Sequence, residues 1–147
     1  KDLENALINK ITSFLLELGK GFSYMGRQVH LKVGKSDFYI DLLFYHVKLH
    51  CYIVIELKTE KLKPEFVGQL NFYITAVDKD IKSKNDNQTI GILICKDKDN
   101  VVAEYSLANI SQPIGISKYE INKFLNNEYK NDLPSIKEIE EGIKFIL

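Results

Sequence analysis

Asp41, Glu56 and Lys58 are charged residues set into or against strongly apolar runs. Asp41 separates Phe38-Tyr39-Ile40 from Leu42-Leu43-Phe44, and Glu56 separates Tyr52-Ile53-Val54-Ile55 from Leu57. A charge inside such a run costs free energy if it is buried unpaired. Two carboxylates brought close together repel unless a cation lies between them. Oxygen ligands on a rigid sheet suit Mg²⁺, which binds a few carboxylates and keeps several waters. A metal held this way polarises a phosphoryl oxygen and acidifies a bound water. Lys58 could orient that water or stabilise the phosphorane that follows attack. Against this stands a plain alternative: Asp, Glu and Lys are ordinary on the solvent face of an antiparallel hairpin, and the triplet E-x-K is common. The insertion of two carboxylates within apolar runs, converging on one face, favours a site.

That convergence depends on register. Asp37–Tyr45 and His50–Lys58 read as two strands joined near Val47-Lys48. Alternation puts Phe38, Ile40, Leu42 and Phe44 on one face and Asp37, Tyr39, Asp41, Leu43 and Tyr45 on the other. In the second strand Cys51, Ile53, Ile55 and Leu57 oppose His50, Tyr52, Val54, Glu56 and Lys58. A two-residue turn would pair His46 with Leu49, Asp41 with Val54 and Tyr39 with Glu56. The apolar faces then lie under helices and both carboxylates on the opposite side, where diagonal neighbours are about 7 Å apart or less. A turn of odd length would separate the carboxylates.

The surrounding elements give a mixed α/β (α+β) chain. Residues 2–18 have a helical apolar period, and Phe22–Val33 reads as one or two strands broken near Gly26, with a turn at Gly34–Ser36. Pro64 to about Ile81 reads as a helix, Lys82–Gln88 as a polar loop and Thr89–Lys96 as a buried strand. Asn100–Leu107 reads as a short helix, Pro113–Ser117 as a strand, and Pro134 to about Phe145 as a final helix. The length of 147 residues fits one domain, and 45% hydrophobic with 27% charged residues is globular composition. No apolar run reaches the roughly 18 residues of a membrane span. Lys1 in place of Met points to a fragment or a processed product, with room for domains upstream. Twenty basic residues, nineteen of them Lys, balance twenty acidic ones, so bulk charge gives no support to polyanion binding, and this part alone is expected to bind a polyanion weakly. Cys51 and Cys95 lie in apolar runs, as buried thiols in a reducing cytosol do.

The pattern of Asp41, then Glu56-Leu57-Lys58, then a helix resembles the PD-(D/E)XK nuclease superfamily, whose restriction-endonuclease-like core has this helix–hairpin–helix–strand order. The strings GRQVHLKVGKSDFYIDLLFYH, YIVIELKTEKLKPEFVGQLNFYITAVD and TIGILICK are similar to the YhcG-type family of bacterial proteins, from about Asp2 to about Ile139. The C-terminal half of that family is such a nuclease domain, so the resemblance implies that this chain is the C-terminal part of a longer protein. The resemblance implies that Asp41 and Glu56 ligate Mg²⁺ or Mn²⁺, with the Leu57 carbonyl and Glu4 as further ligands, and that Lys58 is the catalytic lysine. It matches Gln69 and Tyr73 to a helical Q-x-x-x-Y motif, one face of a helix that reaches phosphate or the lysine. Ile40 stands where the superfamily has proline, a position that supplies no ligand.

The implied activity is metal-dependent hydrolysis of nucleic acid, most readily DNA, by a cytoplasmic protein that needs no membrane. Homodimerisation would serve cutting of two strands. A nucleic-acid-binding or assembly module that keeps the fold without turnover is the alternative. A glycosidase using paired carboxylates leaves Lys58 without a role. Arg27, Lys61 and Lys63 are candidate phosphate contacts, though surface pairing explains them equally well. His46, His50 and Cys51 flank the turn, but alternation separates the last two and no C-x-x-C accompanies them, which argues against zinc.

Overall fold

A computed structural model describes residues 5, 9 and 21–118. The helices expected at 2–18 and after Pro134 therefore lie outside the described residues, apart from Asn5 and Asn9, which are helical. The described elements run β1 (Phe22–Val33), β2 (Ser36–His46), β3 (Cys51–Leu57), α1 (Pro64–Asp80), β4 (Ile90–Cys95), α2 (Asn100–Leu107) and β5 (Ile114–Lys118). They form one mixed sheet in the order β1-β2-β3-β4-β5, antiparallel through β3 and parallel from β3 to β5. Parallel neighbours need crossovers, and α1 and α2 supply them. Among the described residues no helix is long and apolar enough to cross a membrane.

Local sequence sets the element ends. Pro64 occupies the first turn of α1, where its missing N–H has no helical partner to lose. Asp99 caps α2 by accepting from the N–H groups of Val101 and Val102. Every residue of β4 is buried, as expected of a strand covered on both faces.

The turn between β2 and β3 corrects the expected register. It spans residues 47–50, so His46 pairs with Cys51, Leu43 with Val54 and Leu42 with Ile55. Buried His46 shapes this longer turn: its Nδ1 accepts from Leu49 N–H at 3.2 Å, and His50 completes the reversal at φ 52°. Four is even, like two, so the faces are kept while every pair moves by two residues. Asp41 now stands across from Glu56, not Val54.

The coverage of the faces is also corrected. The crossover helix α1 lies on the carboxylate side, with Leu43, Val54, Leu93, Leu70, Tyr73 and Ile74 in one buried cluster. Leu42, Phe44, Ile53 and Ile55 are equally buried on the opposite side. Strict alternation along β2 also fails at Asp41. Ile40 joins the α1 cluster, and the Phe38 ring meets Phe72 at 4.8 Å between centroids. Beyond Asp41 the β1–β2 pair runs on without β3, and two-stranded ribbons twist more strongly than wide sheets.

α1 packs tightly against the sheet at Gly91. A Cβ there would stand 2.5 Å from Ile74 Cδ1 and 3.0 Å from Leu70 Cγ, both in fully buried side chains. Gly91→Val should therefore destabilise the fold by about 1–3 kcal/mol. Urea unfolding would measure this, and unchanged stability would show that α1 can move off the sheet.

Candidate active site

The site forms where β2 and β3 part. The ladder ends at Leu42–Ile55, and the next rung would join Asp41 to Glu56. Side chains replace it. Asp41 N–H donates to Glu56 Oε2 at 2.7 Å, and Leu57 N–H donates to Asp41 Oδ2 at 2.9 Å. Each carboxylate thus satisfies a backbone donor of the neighbouring strand. Asp41 is 8% exposed and Glu56 2%. In an extended residue N–H and C=O point to the same edge, so the Leu57 carbonyl faces the same opening as its N–H.

β1 adds a third polar group. It carries a bulge between Tyr24 and Gly26, and Gly26 has φ 157°. Two residues on, Gln28 has φ 48°, a left-handed conformation uncommon outside glycine. Gln28 Nε2 donates to Asp41 Oδ1 at 3.2 Å. Both Asp41 oxygens are thus oriented while each keeps further acceptor capacity.

From the other side, α1 presents Gln69 and Tyr73. Lys58 follows the last residue of β3 and stays tied to β4 through its N–H to the Ile94 carbonyl. Lys58 Nζ donates to Gln69 Oε1 at 2.8 Å and lies 5.0 Å from the centre of the Phe66 ring. Burial pushes the Tyr73 phenol up to about 12; the charges of Glu56 and Asp41 add to this, and a hydrogen bond with Gln69 partly offsets it. Tyr73 is therefore a neutral hydroxyl at neutral pH, not a base.

The donor set fits a hard divalent cation. Among the described residues no group of three or more His, Cys, Asp and Glu could hold a metal. Mg²⁺ does not need one: two carboxylates, a carbonyl and waters meet its preference for oxygen and partial hydration. Two buried carboxylates meeting at one strand opening also favour a cation electrostatically.

Comparison with known proteins gives the family and the fold. The profile of the YhcG PDDEXK nuclease domain matches residues 1–134. The chain belongs to that family. YhcG of Escherichia coli (strain K12) is 34% identical over 142 residues, covering 97% of this chain and 35% of the relative. The chain thus spans about a third of the length of that curated relative. Among solved structures, a repair endonuclease from Pyrococcus abyssi superposes with a TM-score of 0.58 at 18% identity, over 80% of this chain and 46% of its own. EndoMS in complex with double-stranded DNA gives 0.52 at 17% identity, over 74% and 43%. These two share the restriction-endonuclease-like fold.

Within this YhcG-type domain the structure brings together Asp41, Glu56, Leu57, Lys58, Gln69 and Tyr73. Glu4 lies outside the described residues. The outlying basic candidates are engaged locally. Arg27 donates to Asn9 Oδ1 at 2.7 Å and Asn5 Oδ1 at 3.3 Å. Lys63 pairs with Glu60 at 2.8 Å, and exposed Lys61 bridges to Asp97 through the backbone. Burial pushes the Cys51 and Cys95 thiols up to about 11, which suits inert core residues. His46 packs edge-on against Phe22, so the turn holds no zinc cluster among the described residues. Gln28 is the site residue the sequence reading passed over. Its only signal was a polar side chain two residues after Gly26 within a strand.

Tyr73 generates a pH prediction. Its folded value lies above the ordinary 10, so its contribution to stability is present below pH 10 and is lost as pH rises through about 12. Stability measured by urea unfolding should fall across that window, and less steeply in Tyr73→Phe. Tyr45, pushed up to about 12 by its hydrogen bond to Asp86, leaves a residual dependence. An equally steep fall in Tyr73→Phe would remove Tyr73 as the source.

Proposed function

We propose that residues 1–147 form one nuclease domain, part of a longer protein, which hydrolyses phosphodiester bonds of DNA with a divalent metal. The observation that carries this is the Asp41–Glu56 exchange at the strand opening, with Lys58 two residues beyond Glu56. Membership of a nuclease family supports the reaction class, and the fold shared with EndoMS, bound to double-stranded DNA in its structure, supports DNA.

Asp41, Glu56 and the Leu57 carbonyl would hold Mg²⁺ or Mn²⁺, with Glu4 as a further ligand. Bound there, the metal supplies an acidified water and charge neutralisation at phosphorus. Water attacks phosphorus and the bond to the leaving oxygen breaks. Lys58, aimed by Gln69, stabilises the negative charge that builds on the phosphoryl oxygens. Tyr73 fixes Gln69 through the next turn of α1. Gln28 holds the Asp41 carboxylate in its ligating orientation. Arg27, Lys61 and Lys63 would contact backbone phosphates further out, exchanging their present partners for the ligand. The absence of net charge implies that further affinity comes from the rest of the protein or from a homodimer. Buried protonated thiols suit work in the cytosol.

Cleavage of circular and linear DNA, with Mg²⁺, Mn²⁺ or EDTA, tests the proposal. Metal-dependent cleavage is expected. Asp41→Asn, Glu56→Gln and Lys58→Ala should each lower it at least about a hundredfold. The amide replacements retain acceptors for the backbone N–H groups and so preserve the fold. Cleavage that survives EDTA and all three substitutions would overturn the mechanism. Binding without cleavage, unaffected by EDTA or Lys58→Ala, would favour a non-catalytic module.

Gln28→Ala should raise the Mg²⁺ concentration for half-maximal cleavage by roughly 10–100-fold. Calorimetric Mg²⁺ affinity should weaken in parallel. Unchanged metal affinity would show that Gln28 does not position Asp41.

A further inference from the structure

Beyond Asp41 the β1–β2 ribbon extends past the end of β3 and carries an aromatic pair on its surface. His30 and Tyr39 are cross-strand partners, with rings 5.1 Å apart and 29° from parallel. The other aromatic ring pairs among the described residues are edge-on or tilted. Tyr39 is 52% exposed, and the His30 side chain is 51% exposed. His30 Nε2 meets Asp37 Oδ1 at 2.7 Å, which fixes the imidazole plane. On the other side of the ribbon, Phe38 is anchored against Phe72 and Tyr73. The pair is therefore held rigidly while its outer surface stays open.

Its position connects it to the active site. Gln28 precedes His30, and Asp41 follows Tyr39, by two residues, which is about 7 Å along the ribbon. Exposed Lys32 and Lys35 continue along the same ribbon to its tip. A flat aromatic surface flanked by cations is complementary to a nucleotide, with the base on the rings and phosphates toward the lysines.

We infer that the His30–Tyr39 pair is a stacking platform for an unpaired nucleobase beside the scissile phosphate. The inference rests on the nuclease reading and narrows its substrate to nucleic acid with unstacked bases: single strands, flaps or frayed ends. Bases stacked inside a duplex cannot reach such a surface.

Fluorescence anisotropy of the 147-residue chain carrying Glu56→Gln tests this with three labelled probes. These are a single-stranded oligonucleotide, its blunt duplex, and the single strand with abasic sites. Adding Tyr39→Ala should weaken binding of the single strand about tenfold and leave duplex and abasic binding nearly unchanged. Tyr39→Trp should keep single-strand affinity, since stacking needs a ring and not the hydroxyl. A thermal melt of each variant separates lost binding from lost folding. Equal losses on all three probes, or none, would overturn the platform while metal-dependent cleavage by the wild type left the nuclease reading standing. Binding to no probe, together with no cleavage, would overturn both.

Discussion

The structure turns on an unmet hydrogen-bonding requirement. When β2 leaves β3 at Asp41, two backbone donors lose their ladder partners in a buried place. An orphaned buried N–H costs about 1–3 kcal/mol. Asp41 and Glu56 remove that cost by reaching across, each to the other strand's backbone. The parting of the strands is thus stabilised by the two carboxylates proposed to hold the metal. An apolar side chain at either position would leave a donor bare, so the local fold and the chemistry ask for the same residue types.

The same arrangement creates an electrostatic demand. Two carboxylates shielded from water at one strand opening favour any cation that can share them. A hydrated Mg²⁺ meets that demand without the dense ligand cage that the described residues lack. Lys58 is kept close by α1, where Gln69 accepts from its ammonium and the Phe66 ring lies beneath it. The helix that covers the carboxylate face therefore also sets the direction of the lysine. Packing at Gly91 matters for this reason: it fixes the height of α1 over the sheet, and with it the reach of Gln69.

Much of this was legible in the sequence because charge inside an apolar run is conspicuous. Asp41, Glu56 and Lys58 emerge from alternation alone, and the resemblance added Gln69 and Tyr73 through their spacing. The register was misjudged by two residues because turn length has no periodic signal, and buried His46 builds a four-residue reversal where two looked sufficient. From Leu42 onward the faces survived that error since both lengths are even, but Phe38 and Ile40 lie on the α1 side because alternation breaks at Asp41. The covering of the carboxylate side by α1 was hidden because alternation says which residues share a face but not which face a crossover will run over. Gln28 was hidden for a different reason: its role depends on a positive φ, which a glutamine does not advertise.

Gln28 also shows how strain and function are linked here. A left-handed glutamine costs of order 1 kcal/mol, and it persists only where neighbouring structure fixes it. Above it the bulge at Met25–Gly26 shifts the β1 register, and below it the pairs from Val29–Ile40 to Val33–Ser36 lock the ribbon. Between these fixed points the amide donates to Asp41 Oδ1. The bulge, the strained residue and the splayed strands form one device. It ends the β2–β3 ladder at Leu42–Ile55 and leaves the Asp41 and Glu56 carboxylates to bridge the strands beyond it.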